Sequence, residues 1–123
     1  MLTLSVLPET LAICRLEREA DVPMWATGSF VSITRTRDEL SIVCTECDVQ
    51  SGVKADRGWC ALKIEGPLDL ALTGVLASVS GPLAEARINI FAISTFDTDY
   101  VLVKADRVTE AIGVLRRAGH MIE

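Results

Sequence analysis

The chain has 123 residues, of which 50 % are hydrophobic and only 5 % aromatic, and it carries a formal charge of −5. An acidic chain with no run of Lys and Arg cannot neutralise a phosphate backbone, so nucleic acid is excluded as a partner. No apolar run approaches the roughly 20 residues needed to cross a bilayer, which excludes a membrane-spanning helix.

The length suits one compact domain, or two half-domains sharing a core. The apolar content is mostly aliphatic and fits β-strands and helix seams. A mean hydropathy of +0.35 is high for so short a chain and predicts an apolar surface for self-association.

In chain order, residues 2–7 read as a short strand that Pro8-Glu9-Thr10 turns into a second, residues 11–16. The opening "MLTLSVLPETLAIC" lacks a basic start and is broken by Pro8 and Glu9, so neither a signal peptide nor an anchor is expected, and the default compartment is the cytoplasm. Residues 17–28 are polar and contain Pro23, a linker. Residues 30–35 and 40–45 alternate and are rich in β-branched side chains, which predicts a hairpin closed by "TRTRDE". A loop through Gly52 and Gly58 leads into "WCALKIEG", a further strand ending at Gly66-Pro67.

From Thr73 the period becomes helical, with Val75, Leu76, Val79, Leu83 and Ala86 on one stripe. Pro82 cannot donate to the carbonyl four residues back, so one kinked helix is expected. Residues 89–95 and 100–104 form a second hairpin. Asp106 then suits an N-cap for a helix whose stripe is Val108, Ala111, Ile112, Leu115 and Ala118, with Gly119 as the residue that ends it. "HMIE" follows as a short edge strand.

The two hairpins echo each other. Laying "ITRTRDELSIV" over "ISTFDTDYVLV" pairs Ile33 with Ile93, Thr34 with Ser94, Glu39 with Asp99 and Val43 with Val103. A strand, connection and hairpin are thus used twice, the first copy having lost most of its first helix. The second copy alone reads βαββαβ, a ferredoxin-like unit with two helices on one face of an antiparallel sheet. The pentapeptide "VKADR", at Val53 and again at Val103, stands outside that pattern.

Chemistry has few candidates. There is no G-x-G-x-x-G, G-x-x-x-x-G-K-[ST] or G-x-S-x-G, and no histidine close in sequence to a hydroxyl or thiol that it could activate. Catalysis is not expected, nor any cofactor. Of the four cysteines, Cys14, Cys44, Cys47 and Cys60, the pair Cys44 and Cys47 has C-x-x-C spacing. Zinc would need two more ligands. Cys44 alternates with Leu40 and Ile42 like a small core residue, so free, metal-free thiols are expected.

Binding has more support. "LDLALTGVL" runs from a strand exit to a helix start at Thr73-Gly74, where unpaired amides favour a carboxylate and Gly74 lets it come close. The tip "STFDTD" carries Phe96 between hydroxyls and two carboxylates, Asp97 and Asp99. Brought alongside, Asp99 could hold an ammonium or guanidinium group, so the two features together suit a zwitterion. Each also has a plainer reading: Asp97 and Asp99 as turn formers, Thr73 as an N-cap. Phe96 is harder to explain without a ligand or a partner chain to cover it. Trp25 and Trp59 read as core or interface residues.

"GWCALKIEGPLDLALTGVLA" and "GPLAEARINIFAISTFDTDYVLV" closely resemble the ACT-domain proteins related to the CASTOR-type cytosolic arginine sensors. "FVSITRTRDELSIV" is similar to the N-terminal half of the short bacterial members of that group. The resemblance implies an α+β fold of tandem ferredoxin-like ACT lobes, residues 1–58 being a degenerate first lobe with a truncated helix and residues 59–123 a full ACT domain. It further implies a non-enzymatic regulatory sensor that binds an amino acid where two ACT domains meet, usually across a homodimer, and that acts on a protein partner which the resemblance does not name. The ligand-site positions it carries over are Thr73, Gly74, Val75, Thr95, Phe96 and Asp99. In one place the chain departs from the pattern: the arginine sensors carry an acidic residue where this chain has Leu72. That removes one guanidinium partner and widens the expected ligand to smaller or more apolar amino acids. An interaction module with a decayed ligand site is the alternative.

The apolar fraction predicts a dimer in solution. Sedimentation at micromolar concentration checks this, and a single species of 13.3 kDa would be the contrary result.

Overall fold

A computed structural model describes residues 1–69 and 72–123. Contacts divide the chain into two compact units, one of Met1–Pro8 with Cys60–Glu123 and one of Glu9–Trp59. The boundary expected from sequence places residues 1–8 with the N-terminal lobe, whereas here they group with the C-terminal residues. Two long strands, β1 (Thr3–Leu16) and β4 (Lys54–Ile64), contribute to both units.

Strand β1 is not turned at Pro8, contrary to the sequence reading. A proline within a strand needs a place where its missing N–H is not called upon. On one side β1 pairs with β7 (Met121–Ile122) at Thr3 and Leu4, and with β3 (Leu40–Thr45) from Leu11 to Leu16. Pro8 lies in the stretch between those two partners.

In the unit Glu9–Trp59, β2 (Ser32–Arg35) and β3 form the expected antiparallel hairpin, with Ser32 opposite Val43 and Arg35 opposite Leu40. The strand order is β2-β3-β1-β4. Ala12 and Cys14 of β1 and Leu40, Ile42 and Cys44 of β3 share one core with Val49, each buried. Trp25 packs against that cluster, and Trp59 is buried with its indole N–H donating to Asp56 at 3.0 Å. Strand β4 begins at Lys54, earlier than expected, so the first "KADR" is extended. The second copy forms a 3-10 turn at Ala105–Arg107. Pairing partners, not the shared letters, decide between the two.

In the other unit the element order after β4 is α1 (Val75–Glu85), β5 (Phe91–Ser94), β6 (Asp99–Lys104), α2 (Val108–Arg117) and β7. The strands lie in the order β7-β1-β4-β6-β5, so β7 pairs with β1 and β1 stands between it and β4. Val79 and Leu83 of α1 and Ala111 and Leu115 of α2 are fully buried against Leu4, Leu62, Ile64, Val101 and Val103 from the strands. The α1 stripe read from sequence is the face that buries here, with Val75, Leu76 and Ala86 packed against the core. In α2, Val108, Ala111 and Leu115 follow the expected stripe, but Ala118 is exposed and Val114, outside it, packs against the core. The starts of the helices differ from expectation. Neither has a side-chain cap: Gly74 with φ 75° is the N-cap of α1, and the 3-10 turn holding Asp106 precedes α2, so neither Thr73 nor Asp106 caps.

Pro82 sits inside α1, and the amide it lacks would have met the carbonyl of Ser78. Another donor takes that place. The Nε2 of His120 lies 3.0 Å from the Ser78 carbonyl oxygen, and its Nδ1 accepts the Leu2 amide at 3.1 Å. Because Nδ1 accepts, the proton is on Nε2, and the neutral ring donates to Ser78. The end of α2 puts the ring there. Gly119 at φ 99° closes the helix, its amide donating to Arg116 and that of His120 to Leu115, so His120 is the first residue beyond the turn.

Replacing His120 with Phe leaves the Leu2 amide and the Ser78 carbonyl unpaired, and should cost about 1–3 kcal/mol in denaturant unfolding of the whole chain. Pro82→Ala returns an amide to Ser78, so the same replacement should cost less in that background. Strict additivity in the double-mutant cycle would show that the two residues do not share the carbonyl.

Candidate functional site

The site begins with how the β5–β6 tip is fastened. Ser94 and Asp99 face each other as the last pair of the hairpin. The Thr95 amide donates to the Thr98 carbonyl at 2.8 Å, closing the turn. Thr98 is 4 % exposed, and its hydroxyl donates to the carbonyl of Ile64 at the end of β4. The Leu68 amide donates to the Asp97 carbonyl at 2.7 Å. The tip is thereby sewn to the chain leaving β4. Gly66 is required for that closeness: a Cβ there would stand 2.9 Å from the Leu68 nitrogen and 3.0 Å from the Asp97 carbonyl oxygen.

Between the tip, that segment and the start of α1 lies a cavity of about 240 Å³. Of the six positions singled out from sequence, Val75, Thr95, Phe96 and Asp99 line it, and Thr73 and Gly74 do not. Both are exposed, and the positive φ of Gly74 is what its position demands, since a Cβ there would meet no described atom within 4 Å. Residues 70–71, in the middle of the expected approach to the helix, lie outside the described residues. Leu72 lines the cavity, as does Asp97, which the sequence reads mainly as a turn residue.

Leu68, Asp69, Ser94 and Thr98 also line it and were missed. Asp69 and Leu68 belong to the quoted "LDLALTGVL" and could have been found by extending the site toward the strand exit. Thr98 carries no sequence signal beyond being a hydroxyl in the tip, since its burial follows from the bond to Ile64. Three carboxylates therefore border the cavity, with no cationic side chain among the described lining residues. Phe96, 80 % exposed, stands at its edge.

The C-x-x-C pair does not converge. Cys44 is fully buried in the core and Cys47 is exposed. Among the described residues no group of three or more His, Cys, Asp and Glu is placed to hold a metal ion. Burial pushes the Cys44 thiol up to about 11, with neighbouring Cys14 and Asp48 adding to the effect. Burial also raises Cys14 and Cys60.

A family model of the ACT domain matches residues 54–117, and a second, of an N-terminal domain, matches residues 9–51. The chain belongs to the ACT-domain family. Over 60 residues, 48 % of this chain, it is 42 % identical to the "cytosolic arginine sensor for mTORC1 subunit 1" of Bos taurus, and to that of Homo sapiens with the same figures. That stretch is 18 % of the sensor, so the chain matches under a fifth of the relative's length. The crystal structure of protein Atu0741 from Agobacterium tumefaciens is similar throughout, at 41 % identity and a TM-score of 0.94, covering 99 % of this chain and 92 % of that one. The regulatory subunit of aspartate kinase from Thermus thermophilus shares the fold at 13 % identity, with a TM-score of 0.63 over 93 % of this chain and 97 % of that one.

The thiolate is the reactive form of cysteine, so burial and a raised pKa both protect. With a thiol reagent at neutral pH, Cys47 should label first, and Cys14 and Cys44 only once the chain is unfolded. Rapid labelling of all four under native conditions would contradict this placement.

Proposed function

We propose that this chain is a non-enzymatic regulatory protein that senses an amino acid, and that the ligand sits in the cavity between the β5–β6 tip and the start of α1. The observation that carries the reading is the convergence there of Val75, Thr95, Phe96 and Asp99 beside the N-terminus of a helix. Asp99 takes the positive group, in charge-assisted hydrogen bonds worth about 1.5–3 kcal/mol each. The first-turn amides of α1, close to Thr73 and Gly74, take the carboxylate. Family membership and the arginine sensing for which those relatives are named support a regulatory amino-acid site. With Leu72 half-exposed at the cavity, the side-chain end of the ligand meets an apolar wall where a carboxylate would favour a guanidinium.

In this reading the chain is a pair of ACT-like lobes divided near residues 58 and 59, with residues 1–8 grouped with the second, and the first lobe lacks most of its helix. It works in the cytoplasm as a homodimer, with a second ACT domain completing the site, and passes its signal to a protein partner. A second reading, an interaction module whose ligand site has decayed, is favoured by one observation: Phe96 is 80 % exposed, as an aromatic awaiting a protein surface would be.

Thermal-shift screening with the twenty amino acids separates the two, because a binder gains stability as ligand concentration rises. With the best ligand, Asp99→Asn should weaken affinity roughly ten- to a hundred-fold, and Asp97→Asn should leave it near that of the natural sequence. Equal, undiminished binding by both variants would remove Asp99 from its role. No stabilisation by any amino acid would put the interaction module first.

A further inference from the structure

The unit Glu9–Trp59 has a concavity of its own that amino-acid sensing leaves unused. The stretch after β1 and the turn between β2 and β3 meet there, and Arg18, Glu19, Arg35, Thr36 and Arg37 line a shallow groove that is widely open to solvent. Three guanidiniums meet one carboxylate among the lining residues, in a chain whose formal charge is −5.

Two of the three are set in place by neutral acceptors. Arg35 donates from Nη1 to the Arg18 carbonyl and from Nη2 to the Ala20 carbonyl, the latter at 2.9 Å. Arg18 donates from Nη1 to the Arg37 carbonyl at 3.2 Å, while its Nη2 lies 3.5 Å from Glu19. These bonds cross-brace the two loops and fix both forks, yet a carbonyl cancels no charge, and each guanidinium has five N–H donors to distribute. Arg37 differs. Among the described residues its side chain makes no hydrogen bond or ion pair, although its own carbonyl anchors Arg18.

We propose that this groove binds a phosphate monoester dianion, with Arg18 and Arg35 as fixed walls and Arg37 as the uncommitted third donor. A tetrahedral dianion offers three terminal oxygens and two charges, so it can accept from several planar forks at once, whereas one carboxylate is filled by a single fork. Glu19 is the competitor inside the groove. The phosphate comes either on a small metabolite or on a phosphorylated serine of a partner protein.

Amide chemical shifts of the intact chain are followed during titration with inorganic phosphate, a sugar phosphate and a phosphoserine peptide, against sodium chloride of equal ionic strength. The proposal expects saturable shifts confined to residues 18–20 and 35–38. Arg37→Ala should weaken binding roughly tenfold with the melting temperature unchanged, and Glu19→Gln should tighten it roughly two- to fivefold. Arg35→Ala also removes loop bracing, so the decision rests on Arg37. Tighter binding of the peptide than of the sugar phosphate assigns the phosphate to a protein partner, and the reverse order to a metabolite. Shifts no larger than those with chloride, or undiminished binding by Arg37→Ala, overturn the proposal.

Discussion

A helix carrying a proline in its interior leaves one carbonyl without a donor, and in this protein that single deficit organises the C-terminal unit. Ser78 is the residue left short by Pro82, and the imidazole of His120 makes up the difference. To do so, α2 must end where it does, on the left-handed Gly119, so that the next residue turns back toward α1. The same ring accepts the Leu2 amide, and the Met121 amide donates to the Leu2 carbonyl. Two helices and two strands thus meet at one neutral side chain that is 8 % exposed. Burying so polar a group is tolerable because both of its nitrogens are used.

The candidate ligand site rests on a second set of bonds of the same kind. Its walls come from elements distant in sequence, and main-chain acceptors hold them together: Ile64 for Thr98, Asp97 for Leu68. Phe96, Asp97 and Asp99 are then carried on main-chain and Thr98 bonds in which their own side chains take no part. Replacing Phe96, Asp97 or Asp99 should therefore change what the cavity accepts before it changes whether the cavity exists, whereas Thr98 serves both as lining and as fastening. This is the arrangement expected of a site whose specificity can be altered while its scaffold is kept.

Much of this was legible in the sequence wherever a period and a burial pattern coincide. The stripe through Val79, Leu83, Ala111 and Leu115 and the alternation of Leu40, Ile42 and Cys44 needed only local rules. What was not legible depended on partners elsewhere in the chain. Pro8 reads as a break until its position between β7 and β3 is known. "KADR" is a strand in one place and a 3-10 turn in the other because its neighbours differ. Asp106 has the right chemistry for a cap, and the tight turn that contains it moves the helix start beyond its reach. At the site, Phe96 and Asp99 could be named from residue type and Val75 and Thr95 through the family resemblance, but Thr98 becomes visible only through its bond to Ile64.

The histidine that satisfies Ser78 is also the only one in the chain. Its two carbon-bound ring protons fall in a region of the proton spectrum that few other side chains occupy, and no second imidazole competes for the assignment. The junction of α1, α2 and the first strand therefore carries its own built-in reporter. Loosening of any of these elements, whether by ligand, partner or substitution, can be followed as the movement or splitting of one pair of lines in unlabelled protein.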